Sequence, residues 1–93
     1  MRLTWTAVAR ADRNLILDYI AADSVRAALA VDERIAASVD RLKLFPRSGR
    51  MGRVDGTREL VVSNAPYVAI YAIVEDEVRI LRVLHGARQW PDE

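Results

Sequence analysis

The sequence predicts an α+β fold, with a helical hairpin packed on one face of a mainly antiparallel four-stranded sheet in the order β-α-α-β-β-β. Three observations predict it. Two amphipathic stretches of helical period, free of internal proline and glycine, fill the first half of the 93 residues. Three β-rich runs joined by short links fill the second half. Between them lies "PRSGRMGRVDGT", whose glycines and proline make it a loop.

Each element follows in order. "RLTWT" alternates Leu3 and Trp5 and reads as a short first strand, with Trp5 directed into the core. Val8, Ala11, Leu15, Tyr19 and Ala22 then recur at helical spacing, widened by Ile16 and Ile20, which predicts a helix from Ala7 to Ala22 buried along that stripe. "ADS" interrupts it, and Ser24 is placed to cap the next helix. In that second helix Ala28, Val31, Ile35, Val39 and Leu42 share a face, and it ends before Pro46. Beyond the loop, "RELVV", "YVAIYAIV" and "VRILRVLH" are separated by "SNAP" and "EDE" and form a meander. Each helix needs a surface to cover its apolar stripe, so the pair belongs on the sheet. The opposite sheet face is left to solvent or a partner.

Composition narrows the function classes. A chain of this length supports one domain, here residues 1–93, and 52% hydrophobic with 29% charged residues reads as globular. The absence of cysteine removes disulfides, thiolate catalysis and cysteine-based zinc sites, and fits a reducing cytoplasm, the expected location. Met1-Arg2 is followed by no long apolar run, so neither a signal peptide nor a membrane span is expected. No dinucleotide fingerprint, P-loop, zincin helix or calcium loop is present, so no cofactor and no metal are expected.

Net charge is only +1, but Arg41, Lys43, Arg47, Arg50, Arg53 and Arg58 face a single acid, Asp55, between positions 41 and 58. Thirteen of the fourteen basic residues are arginine, whose rigid fork suits phosphate or carboxylate; codon usage in a high-GC genome produces the same bias. Arg47, Arg50 and Arg53 form the best single patch, either a binding loop or a solvated one.

The other candidates lie at strand ends. His85 is the only histidine, flanked by Arg82 and Arg88, and with Arg58 from another strand it could serve as an acid–base and phosphate-holding set. Glu59 is a further acid–base candidate, but adjacent strand residues point to opposite faces, so Arg58 and Glu59 do not enter one site. His85 equally suits a structural role, bonded to nearby backbone. Trp90 can stack a base, anchor a partner or fold back over the core. Tyr67 and Tyr71, four apart, share a strand face and suit either RNA or a covered sheet edge.

Taken together, the chain resembles the ParE branch of the RelE/ParE toxin superfamily. "WTAVARADRNLILDYIAADS" resembles that family's opening strand and first helix, "AALAVDERIAASVDRLKLFPRSGR" its second helix, and "GTRELVV" the next strand. "YVAIYAIVEDEVRILRVLHGARQWP" resembles its final hairpin and C-terminal segment, so the resemblance spans nearly the whole chain. It implies the toxin of a type II toxin–antitoxin, or plasmid-stabilisation, module that inhibits DNA gyrase without catalysis and is neutralised by a ParD-like antitoxin. Target contacts are then expected from Arg47, Arg50, Arg53, Arg88 and Trp90. Operator reading belongs to the antitoxin, since no recognition-helix motif occurs here.

The alternative within the superfamily is a ribosome-dependent mRNA endonuclease of the RelE type using His85, Arg58, Arg82 and Arg88. Gly86 stands where certain nucleases carry a tyrosine, and the lysine cluster of others is missing, Lys43 being the sole lysine. A degenerate homologue, kept only for binding, is a third outcome of the same resemblance.

Overall fold

The computed structural model describes residues 1–91 and contains β1 (Arg2–Trp5), α1 (Ala7–Ala21), α2 (Val25–Asp40), a 3-10 turn (Arg41–Lys43), β2 (Arg50–Met51), β3 (Arg58–Val61), β4 (Tyr67–Val74) and β5 (Glu77–His85). The strands form one sheet in the order β1-β5-β4-β3-β2. All pairs are antiparallel except β1 with β5, which run parallel from Arg2 opposite Glu77 to Trp5 opposite Ile80. The sheet therefore has five strands, not the four expected. The added strand β2 lies inside the arginine loop, where two residues without β-branching or alternation give no strand signal. Its pairing to β3 (Arg50 opposite Glu59, Met51 opposite Arg58) is a product of tertiary structure.

The helices begin at side-chain caps. The Thr6 hydroxyl accepts from the Ala9 amide and the Ser24 hydroxyl from the Ala27 amide. The hairpin is tied by Arg13, which donates two bonds to Asp32 (2.6 and 3.0 Å) while its guanidinium lies 5.0 Å from the ring centre of the half-buried Trp5.

The main core fills the space between the helices and the sheet. Helix α2 buries Ala28, Ile35 and Val39, and the following turn buries Leu42, as its stripe predicts. Helix α1 departs from expectation. Its buried positions are Ala9 and Asp12, with Ile16 and Ile20 half-buried, whereas Val8, Leu15 and Tyr19 are exposed. This helix carries two apolar stripes, and period alone cannot say which turns inward. The stripe that turns inward is the one carrying Asp12, because that carboxylate is needed at the edge of β5.

Strand β4 is buried on both faces. Tyr67, Ala69 and Tyr71 join the helix-side core. Val68 and Ile70 join Leu84 on the opposite face, where Leu81 and Trp90 pack over them. That face is thus partly covered by the chain itself, Trp90 folding back onto it. A bulge between Ile70 and Tyr71 shifts the register so that Tyr71 pairs with Ile80 and Ile70 with Arg82, leaving Leu81 as the extra residue. Among the described residues, no helix is long and apolar enough to cross a membrane.

Candidate functional site

Strand β1 stops at Trp5, opposite Ile80, so the last residues of β5 have no strand on that side. Helix α1 takes its place. The Thr6 amide donates to the Ile80 carbonyl (3.0 Å) and the Thr6 hydroxyl to the Leu81 carbonyl (3.2 Å). Six residues on, the Asp12 carboxylate accepts from the buried Val83 amide (3.0 Å) and, bidentately, from the Arg82 guanidinium (2.8 and 3.0 Å). A side chain thereby completes the hydrogen bonding of a strand edge that would otherwise be open.

Beside this joint runs an open groove of about 720 Å³, lined on α1 by Asp12, Leu15, Ile16 and Tyr19, on the sheet by Tyr67, Val83 and His85, and beyond β5 by Arg88. Leu15 is 67% and Tyr19 80% exposed, so a predominantly apolar wall faces solvent. Exposed large apolar side chains in a contiguous groove mark a binding surface rather than random surface composition.

His85 lies at the mouth of the groove, exposed, with its ring edge-on to Tyr67 at 5.7 Å between centroids. Its Nδ1 accepts from the Ala87 amide (3.1 Å), and its carbonyl accepts from the Arg88 amide (3.0 Å). The histidine thus helps shape the turn after β5. Arg82 belongs to the Asp12 joint, with its guanidinium 5.7 Å from the ring centre of the half-buried Trp90. Arg88 reaches the same groove.

Arg58 does not join them. It pairs with Tyr71 and His85 with Tyr67, so the two backbones are separated by roughly 13 Å along the sheet and about 10 Å across it. The Arg58 guanidinium instead donates to the carbonyls of Gly49 (2.8 Å) and Arg47 (3.3 Å). Glu59, its neighbour on β3, points to the other face as strand alternation requires. It is 2% exposed and accepts from the Arg50 guanidinium (3.1 Å) and the Arg53 amide (3.1 Å). Burial would raise its pKa, but the Arg53 amide and the two guanidiniums outweigh it and hold the carboxyl below its ordinary value.

Tyr67 and Tyr71 share a face, and both are buried, so neither offers a ring to RNA. The Tyr71 hydroxyl accepts from the Gly49 amide (2.9 Å) and donates to the Pro46 carbonyl (2.7 Å); burial pushes its pKa up against the opposing pull of Gly49 and Arg58. Arg47, Arg50 and Arg53 are exposed on the loop that these residues hold. Among the described residues, no three His, Asp or Glu side chains are grouped so as to hold a metal ion.

Sequence reasoning missed Asp12 and the exposed stripe of α1. The available signal was a carboxylate set one turn from Ala9 and Ile16 on an otherwise apolar helical face, a placement that requires a partner.

Comparison with known proteins agrees with this architecture. The chain is 44% identical over 90 residues to Y4kP, a candidate toxin of Sinorhizobium fredii, covering 97% of this chain and 93% of that one. It is 38% identical over 87 residues to the toxin RelE2 of Caulobacter vibrioides, covering 94% and 97%. Among solved structures, a chain of the chromosomal ParDE system from P. aeruginosa superposes with a TM-score of 0.82 at 31% identity, covering 91% of this chain and 95% of that one. A chain of the RelBE2 toxin–antitoxin complex from Mycobacterium tuberculosis gives 0.61 at 25% identity, covering 94% and 92%. The model of the ParE toxins of type II toxin–antitoxin systems matches residues 3–90, and it is to this family of toxins that the chain belongs.

Proposed function

We propose that this toxin acts on DNA gyrase in the cytoplasm, by binding rather than by catalysis, and is held inactive by a ParD-like antitoxin laid into the α1–β5 groove. The observation that carries the target is the closer likeness to the ParDE chain (TM-score 0.82) than to the RelBE2 chain (0.61). The use of Arg58 to hold loop carbonyls, well apart from His85, supports the non-catalytic reading, since phosphoryl cleavage needs base and cations on one phosphate. The apolar wall of Leu15 and Tyr19 supports the antitoxin site, suited to an amphipathic segment that orders on binding. Operator reading remains with the antitoxin.

The purified chain is expected to inhibit gyrase supercoiling, and the antitoxin to relieve the inhibition in stoichiometric amounts. His85→Gln is expected to arrest growth as the wild type does. A second reading, a ribosome-dependent mRNA endonuclease, is favoured by the 38% identity to RelE2 and by His85, Arg82 and Arg88 lying at one strand end. Cleavage of translated mRNA with gyrase unaffected would replace the first reading with this one.

A further inference from the structure

We propose that residues 46–57 form a rigid docking element for an acidic surface of the toxin's protein target, separate from the α1–β5 groove, and that Glu59 is its positioning residue. The proposal rests on the toxin reading, but not on gyrase being the target.

A loop of this length with three glycines is ordinarily mobile, and ordering it on binding would cost affinity. Here it is fixed from within. On the helix side Tyr71 holds Pro46 and Gly49, and Arg58 holds Arg47 and Gly49. On the opposite side Glu59 holds the Arg50 side chain and the Arg53 backbone, with the Arg53 guanidinium 3.4 Å away. Thr57 closes the far end, its hydroxyl donating to the Val54 carbonyl and its carbonyl accepting from the Gly52 amide. Two consecutive β3 residues thus grip one loop from both faces. Gly49 permits it, since a Cβ there would stand 2.6 Å from the Tyr71 hydroxyl.

What the fixed loop shows to solvent is specific. Arg47, Arg50 and Arg53 are exposed, and Met51 is 71% exposed among them. Exposed Leu44, Phe45 and Val61 continue the surface, Phe45 and Val61 lining one shallow cleft with Arg41. Five arginines from position 41 to 58 face a single acid in that range, Asp55, with Glu59 just beyond it. A phosphate backbone would match the arginines but not the apolar side chains, whereas arginine mixed with methionine and aromatic groups is the composition of a protein interface. The complementary partner is an acidic protein surface with apolar side chains of its own. The loop contains β2, at the opposite end of the sheet order from β5 and β1, so target and antitoxin would hold different parts of the molecule.

Arg47→Glu and Glu59→Gln test this in the full chain, with growth arrest on induction, capture by the antitoxin encoded beside it, thermal stability, and native-state trypsin cleavage within residues 46–57 as readouts. Arg47→Glu is expected to reduce killing at least tenfold with antitoxin capture and melting temperature unchanged. Glu59→Gln is expected to reduce killing as well and to speed tryptic cleavage of the loop about tenfold, a change that a general loss of stability would spread over the whole chain. Killing by Arg47→Glu at wild-type level, or parallel loss of killing and antitoxin capture, overturns the separate surface. Unchanged loop cleavage in Glu59→Gln overturns its positioning role. Binding of short duplex DNA by the wild type that is lost in Arg47→Glu overturns the protein partner, and a wild-type chain that does not arrest growth overturns the proposal entirely. Killing that depends on Arg47 without gyrase inhibition leaves the docking element standing and removes gyrase.

Discussion

Replacing Asp12 with alanine removes one carboxylate that satisfies three donors, the Val83 amide and two nitrogens of Arg82. The Val83 amide is buried and lies past the end of β1, so no neighbouring strand can take over. A hydrogen bond to a charged group contributes about 1.5–3 kcal/mol, and breaking a buried ion pair costs about 3–5 kcal/mol. The Arg82 side chain keeps 20% of its exposure, which admits solvent screening and places the loss near the lower end, about 3 kcal/mol. A domain of this size is stable by only about 5–14 kcal/mol, so the change removes a large share. It corresponds to a fall in melting temperature of about 12–24 °C, read by circular dichroism on the purified toxin. Asp12→Asn keeps an acceptor for the amide and is expected to lose about half as much. An alanine variant melting within about 4 °C of wild type would refute the reasoning, because water would then be satisfying both donors.

Three further outcomes are expected. Gly49→Ala forces a Cβ to 2.6 Å from the Tyr71 hydroxyl and 3.0 Å from the Glu59 carbonyl, costing about 1–3 kcal/mol in urea denaturation. Because the folded state lowers the pKa of Glu59 below its usual 4.5, its contribution is complete above that value and fades as pH falls through the lower folded value. Glu59→Gln should therefore flatten the loss of stability on acidification below about pH 4.5, and an unchanged acid slope would contradict the shift. Leu15→Ser with Tyr19→Ser should leave stability within about 0.5 kcal/mol per site, as both are exposed, yet weaken antitoxin binding at least tenfold by calorimetry.

The legible parts of the fold were those set by local period. The stripe Ala28, Ile35, Val39 and Leu42 is buried as its spacing requires, and the opposite orientations of Arg58 and Glu59 follow from strand alternation alone. Helix α1 defeated the same logic because Val8, Leu15 and Tyr19 form as good a stripe as Ala9, Ile16 and Ile20. Only the sheet edge decides between them, and that edge lies some seventy residues away, as the Asp12–Arg82 separation of 70 shows. Strand β2 was hidden for a related reason: its pairing depends on Glu59 and Tyr71 gathering the loop, which no local pattern reveals. Of the candidate residues, His85 and Arg88 line one groove, Arg82 is engaged by Asp12, and Arg58 lies elsewhere, bonded to loop carbonyls, placements that no local pattern reveals.

The parallel pairing of β1 with β5 joins residues 2–5 to residues 77–80, so the sheet is closed by a contact between segments some 75 residues apart. Strand β5 also sits inside the sheet, between β1 and β4, and supplies the surface on which α1 rests. Until β5 is in place, α1 therefore lacks the strand on which it rests and β1 has no neighbour. Such long-range closure folds slowly and exposes apolar surface in the meantime. The α1–β5 groove thus exists only once this closure is made, since one of its walls is β5 itself.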